Sequence, residues 1–265
     1  MEMNDNPALA WLLWPLLTAI CLLTILAGLR KVLKRTGWAA GRRQRILFSA
    51  AGGMLIWVVL LSVLAQRGFF ADFSKLPPRP VLAILAPLPV ILFIAFSKTG
   101  TELLKLALPQ WLVLLQSFRI FVELLLWRAF LAGKVPVQMT FEGRNFDVLT
   151  GILALGAGYY ISRRPQAGAG SRVSPGDGSP GGSQLKVALA FNIIGLLLLL
   201  NILVISALSM PTPIRYFMNA PASTLIAQFP FILLPGVLVP IAYGLHILSL
   251  RQIGLIRKNT GAPGS

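Results

Sequence analysis

Apolar runs of about twenty residues, the length needed to cross a hydrocarbon core, recur along the whole of this 265-residue chain. That repetition constrains the fold more than any motif. Seven stretches qualify, from Ala8 to Leu29, Ile46 to Ala65, Val81 to Ser97, Pro109 to Leu131, Phe146 to Ser162, Val187 to Ser209 and Ser223 to Leu250. A soluble globule is excluded, because charged residues make up 12% of the chain against roughly 25% in soluble domains, and mean hydropathy is +0.76. The expected fold class is therefore all-α, a single polytopic transmembrane bundle of seven spans over residues 1–265.

The excess of bases, 24 Lys plus Arg against 8 Asp plus Glu, would suggest nucleic acid as a partner for a soluble chain. Here it marks cytoplasmic loops, so the expected partner is the lipid bilayer and no nucleic acid. With the amino terminus outside, 16 bases fall in cytoplasmic segments, seven in external segments, and Arg119 lies within a span. The fourth stretch, with its Arg and Glu, has an alternative reading as a helix lying flat on the surface. Removing it from the count turns the partition from 16 against seven into 14 against 10, which weakens the positive-inside bias. The expectation is thus an external amino terminus and a cytoplasmic carboxyl terminus. The first stretch is read as a retained span, since Glu2 and Asp5 precede it and Arg30, Lys31, Lys34 and Arg35 follow.

Residues 165–184 are rich in Gly, Pro and Ser and nearly devoid of apolar side chains, so a disordered cytoplasmic loop is expected there. Its glycines lack the following Lys and Ser or Thr of a phosphate-binding loop. The lone cysteine, Cys21, excludes an intramolecular disulfide and a multi-cysteine metal site. No haem, metal or other cofactor signature is present, and so none is expected. A retinal Schiff base would need a lysine between Ser223 and Leu250, where there is none.

The strongest chemical signal is in the fourth stretch. Gln116, Arg119 and Glu123 fall at i, i+3 and i+7 and share one helical face. Ionisable groups in hydrocarbon are costly, so they face the bundle interior and find partners, which makes them functional candidates. The structural alternative has Arg119 and Glu123 neutralising each other at i, i+4, with Gln116 bonding across an interface. A second polar stretch follows, with Glu142, Arg144, Asn145 and Asp147 just before the fifth apolar run. Asn145 is a plausible cap and Asp147 suits the positive end of a helix. Together, Gln116, Arg119, Glu123, Glu142, Arg144, Asn145 and Asp147 form the candidate binding site, an externally facing cavity for a small solute or ion.

The run Gln116-Ser117-Phe118-Arg119 with Glu123, then Pro136 and Met139-Thr140-Phe141-Glu142-Gly143-Arg144-Asn145-Phe146-Asp147, resembles a pattern in a family of uncharacterised bacterial multi-pass membrane proteins. The resemblance implies a bacterial inner-membrane location and supplies no reaction.

His246 is expected near the cytoplasmic end of the seventh span, well over 10 Å in depth from the external polar loop and unable to share a metal with Glu142 or Asp147. Prolines crowd the third span at Pro87 and Pro89 and the seventh at Pro230, Pro235 and Pro240, freeing backbone carbonyls that line a cavity or are taken up by neighbours. Asn192 and Asn201 read as interhelical hydrogen-bonding residues. Three functions fit these features: a transporter or ligand sensor using the external site, a structural or assembly subunit, and an intramembrane enzyme with Glu123 and Glu142 flanking a cleft.

Overall fold

The computed structural model describes residues 7–163 and 181–260, which among them form helices and turns and no strand. The candidate disordered loop falls largely outside the described residues; its last three residues, Gly182 to Gln184, are already helical. The helices are α1 (Pro7–Arg35), α2 (Ala40–Gln66), α3 (Arg79–Leu85), α4 (Leu88–Phe96), α5 (Lys98–Leu106), α6 (Pro109–Leu114), α7 (Phe118–Leu131), α8 (Asp147–Ser162), α9 (Gly182–Ser209) and α10 (Val239–Thr260). Five helical segments are long and apolar enough to cross a membrane: Leu12–Arg35, Ala40–Gln66, Arg79–Phe96, Gly182–Ser209 and Leu234–Lys258. The architecture is thus compatible with a multi-pass membrane protein. Its outward faces carry large apolar side chains such as Ile56, Phe93 and Leu197, as a lipid-facing surface requires.

The two remaining candidate spans are helical but differ in kind. Pro109–Leu131 runs as α6, a 3₁₀ turn at Leu115–Ser117, and α7. The 16-residue α8 packs against it through small residues. A Cβ on Gly151 would come within 2.6 Å of Ile120, and one on Gly158 within 2.4 Å of Leu114. Such close approach of backbones is how helices associate where no hydrophobic driving force separates them from lipid.

The prolines set where helices begin and break. Pro87 and Pro89 interrupt the third span after Leu85, and the carbonyl of Ile84 beside the break accepts the Tyr243 hydroxyl at 2.9 Å. The seventh span is corrected by about one helical segment. Residues 223–233 hold a 3₁₀ turn at Leu225–Ala227 and turns around Pro230, and the membrane-length helix starts only at Leu234 with a π-helical stretch, Leu234–Leu238, leading into α10. Pro240 has no N–H for the carbonyl of Gly236 four residues back, and the Trp57 indole of α2 donates to that carbonyl instead, at 2.7 Å. This places a whole span Leu234–Lys258 behind the turns, with twelve residues on either side of His246.

At the opposite end of the bundle, α5 is a short amphipathic helix whose Ser97 side chain accepts from the Gly100 amide at 2.9 Å. Its last carbonyls are also taken: Gln252 of α10 donates to Leu104 and Ala107 at 2.7 Å each, and Arg35 of α1 to Leu106 at 3.2 Å. These bonds bring the basic ends of α1, α5 and α10 to one side. Between α2 and α3, hydrogen bonds from Ser74 and the charge of Arg79, 2.9 Å away, hold the half-buried Asp72 carboxyl below the usual aspartate range.

Tight packing at the π-helical stretch carries a direct test. A Cβ on Gly236 would sit 2.5 Å from Leu61, whereas Gly53 on α2 has nothing within 4 Å. Gly236→Ala is expected to cost about 1–3 kcal/mol by overpacking. Gly53→Ala is expected to be neutral or stabilising by up to about 1 kcal/mol. Unfolding of both variants in detergent micelles measures the contrast.

Candidate functional site

The centre of the bundle is built from α7 outward. Phe118, Arg119, Val122, Glu123 and Leu126 form its buried face, and Gln116 enters from the 3₁₀ turn below. After α7, Gly133 takes a left-handed conformation (φ 66°) and turns the chain back on itself. The segment from Val135 to Asn145 then folds into the bundle, burying Gln138, Thr140 and Asn145. Gly143 is required in this turn, since a Cβ there would lie 2.3 Å from the carbonyl of Val137. The result is that α8 begins inside the protein, with Asp147 in its first turn and the Asn145 side chain accepting from the Asp147 amide at 3.0 Å.

Arg119 and Asp147 meet as a bidentate pair. Arg119 Nε donates to Asp147 Oδ2 at 2.6 Å, and Nη2 donates to Oδ1. Both residues are buried, Arg119 to 1% exposure and Asp147 to 5%. The third guanidinium nitrogen, Nη1, lies 3.2 Å from Nε2 of His246 on α10. On the far side of that ring Nδ1 is 2.8 Å from Oδ1 of Asn192 on α9. The amide orientation of Asn192 is fixed by its nitrogen, which donates to the carbonyl of Ala188 at 2.7 Å and to Ser249 Oγ at 2.8 Å. An amide oxygen only accepts and a guanidinium only donates. His246 is therefore held as the neutral tautomer with its proton on Nδ1 and its lone pair on Nε2 turned to Arg119. Gly195 makes room for it, since a Cβ there would approach the ring to 2.5 Å.

The expected separation of His246 from the polar loop is thus corrected: His246 and Asp147 touch the same guanidinium. The apolar stretch begins at Ser223, but the helix does not. The prolines delay the helix to Leu234 and bring His246 to mid-span.

The expected candidates divide into two groups. Arg119, Glu123, Asn145 and Asp147 come together, with Gln116 beside them donating to the carbonyl of Ala242 at 2.9 Å. Arg119 does not neutralise Glu123 along the helix; its partner is 28 residues away. Glu142 and Arg144 are exposed and stand outside the site. Glu142 accepts from the Trp127 indole at 2.5 Å, and the Arg144 guanidinium lies over the Phe217 ring, 5.4 Å from its centre. They fasten the outer loop. An acid–base pair of Glu123 and Glu142 across a cleft is accordingly not what the geometry offers. His246, Asn192, Ser249 and Gly195 were missed as site residues. Asn192 and Gly195 at i, i+3 on α9, matched by His246 and Ser249 at i, i+3 on α10, were the available signal.

Gln116 Oε1 and Thr150 Oγ1 are buried without a hydrogen-bond partner among the described residues, and Glu123 adds a carboxyl oxygen to them. Its Oε1 accepts from Asn145 at 2.6 Å, while its Oε2 is buried and has no hydrogen-bond partner among the described residues. The carboxyl borders a narrow cleft of about 50 Å³ between α7, α9 and the start of α10. The walls are mainly apolar, with Val122, Leu126, Ile202 and Leu238 along them, and the polar lining is Arg119, Glu123, Asp147 and Ser206. No cluster of three or more metal-ligating side chains occurs among the described residues. Comparison with protein-family models, with curated proteins and with solved structures returns no match.

Breaking the central ion pair separates its cost from its net worth. Arg119→Met and Asp147→Leu are each expected to destabilise by about 3–5 kcal/mol, because each leaves a buried charge uncompensated. The double variant is expected to recover most of that loss, a coupling that unfolding measurements on the four proteins of the cycle would yield.

Proposed function

We propose that this is a seven-span protein of a bacterial inner membrane that binds, and moves or senses, a small amphiphilic solute in the cleft beside Glu123. The reading counts Pro109–Leu131 and Asp147–Ser162 as spans, shielded from lipid by their neighbours, and puts the basic ends of α1, α5 and α10 in the cytoplasm. The amino terminus and the mouth of the cleft then face outward. The sequence resemblance to bacterial multi-pass proteins supports the same location.

The observation that carries the reading is the orphaned Oε2 of Glu123. A buried acceptor without a partner costs about 1–3 kcal/mol, more when charged, and scaffolding has no use for that cost. Arg119, Asp147, His246 and Asn192 satisfy one another and explain themselves as helix-to-helix ties. Glu123 presents an unused acceptor to an apolar cleft that a ligand would have to widen on entry. The cleft follows α7 from Arg119 to Leu126, about 10 Å at 1.5 Å per residue, so it suits a short apolar body with one polar end.

A structural subunit is the rival reading, and Glu123 discriminates. Glu123→Gln keeps an oxygen for Asn145 and loses the acid. The binding reading expects its stability to stay within about 1 kcal/mol of wild type or to rise, as at sites not optimised for stability. Thermal stabilisation by decanol or N,N-dimethyldecylamine is expected in the wild type and is expected to vanish when Ala242→Phe fills the cleft. A loss of stability in Glu123→Gln as large as that in Arg119→Met, with no stabilisation by either amphiphile, would establish the scaffold instead.

A further inference from the structure

We infer that Glu123 exchanges a proton for the cationic head of a tertiary amine, so that the cleft takes lipophilic tertiary ammonium compounds and releases one proton as each binds. The inference rests on the cleft being a binding site, and it adds the chemical class of ligand and the coupled ion.

The argument begins with charge. Arg119 spends its bidentate edge on Asp147 and Nη1 on His246, so the one cation bordering the cleft is already committed. The charged groups lining the cleft beside Glu123 are Arg119 on its own helix and Asp147 on α8, with His246 on α10 behind Arg119 and Cys21 of α1 in the same apolar cluster as Val122. α9 contributes the Ser206 hydroxyl to the lining. Arg119 and Asp147 cancel and His246 is neutral. A second carboxylate, ionised and supported by one amide hydrogen bond, would stand as an uncompensated charge in apolar surroundings, which is costly. A proton on Oε2 removes that charge. A cation delivered by a ligand compensates it. The two are alternatives, because both occupy the same oxygen.

The number of free acceptors selects the cation. A hard metal ion takes six or more oxygens, or keeps its waters, and the apolar walls supply neither. A primary ammonium brings three N–H donors and would leave some of them unpaired. A tertiary ammonium brings one N–H to one vacant acceptor and turns its alkyl arms to Val122, Leu126 and Leu238. The exchange balances: the neutral Glu123 carboxylic acid plus R₃NH⁺ gives carboxylate hydrogen-bonded to R₃NH⁺, plus one H⁺ released to the aqueous side.

The test uses the full chain in lipid nanodiscs, with empty nanodiscs as the partition control. N,N-dimethyldecylamine, charged at neutral pH, is compared with uncharged decanol, and proton release is followed with a pH dye in weak buffer. About one proton per bound amine is expected from the wild type and none with decanol, with amine affinity rising up to about tenfold per pH unit while the acid form predominates. Glu123→Asp is expected to retain the release and Glu123→Gln to abolish it. Should Glu123→Gln fail to fold, the wild-type pH dependence and the Glu123→Asp variant decide the matter. Binding of amine and decanol with equal affinity and no proton release would overturn the exchange and leave the binding site standing. Binding of neither would overturn both.

Discussion

A guanidinium and a carboxylate withdrawn from water organise this bundle. Arg119 and Asp147 are each too costly to bury alone, and the cost is offset only when the two meet in good geometry with their remaining valences filled. That requirement reaches well beyond the pair. It makes α8 begin inside the protein, because Asp147 must stand opposite the middle of the fourth helical run. The chain after Leu131 has to return inward to deliver it, and the turn at Gly143 has to close tightly. It also explains the placement of His246, which accepts from the Arg119 nitrogen left over by the bidentate contact and passes the network on to Asn192 and Ser249. Four elements of the fold are fixed by one chain of donors and acceptors.

The same economy governs the backbone. Where proline or a helix end frees a carbonyl, a side chain from another helix accepts the task that water would perform in a soluble protein. Trp57 serves Gly236, Tyr243 serves Ile84, and Gln252 serves Leu104 and Ala107. These bonds join α10 to α2, α3 and α5, so the most proline-rich region of the chain is also among the most cross-linked. Irregular backbone is packed at these four places, since the carbonyls of Gly236, Ile84, Leu104 and Ala107 each meet a side-chain donor from another helix.

Local periodicity made much of this legible in advance. The spacing of Gln116, Arg119 and Glu123 put them on one face, and the acid at the head of α8 followed from helix electrostatics. What periodicity lacks is the third dimension. Glu142 and Arg144 are neighbours of Asn145 and Asp147 in sequence, yet the turn at Gly143 sends them to the outer rim, where Trp127 and Phe217 hold them. Hydropathy is continuous from Ser223 to Leu250 while helix formation is not, since the chain stays in turns around Pro230 and becomes helical at Leu234, which brings His246 to mid-span. Apolar character locates a segment in the membrane and says little about where its helix starts.

Two carboxyl groups on neighbouring helices of this site meet opposite fates. Asp147 takes a guanidinium edge on both of its carboxyl oxygens, so its acceptors are filled from within the fold. Glu123 takes one amide and keeps an oxygen in reserve toward an apolar cleft. A protein that needed only cohesion could replace Glu123 by leucine, which would pack against Val122 and Leu126 without a desolvation cost. The adjacent ion pair sharpens the point: by engaging Arg119, Asp147 removes the cation that would otherwise pair with Glu123. The arrangement leaves an acid with one oxygen turned to an apolar cleft and its neighbouring guanidinium already engaged, so burial sets its charge against the surrounding side chains rather than against a paired base.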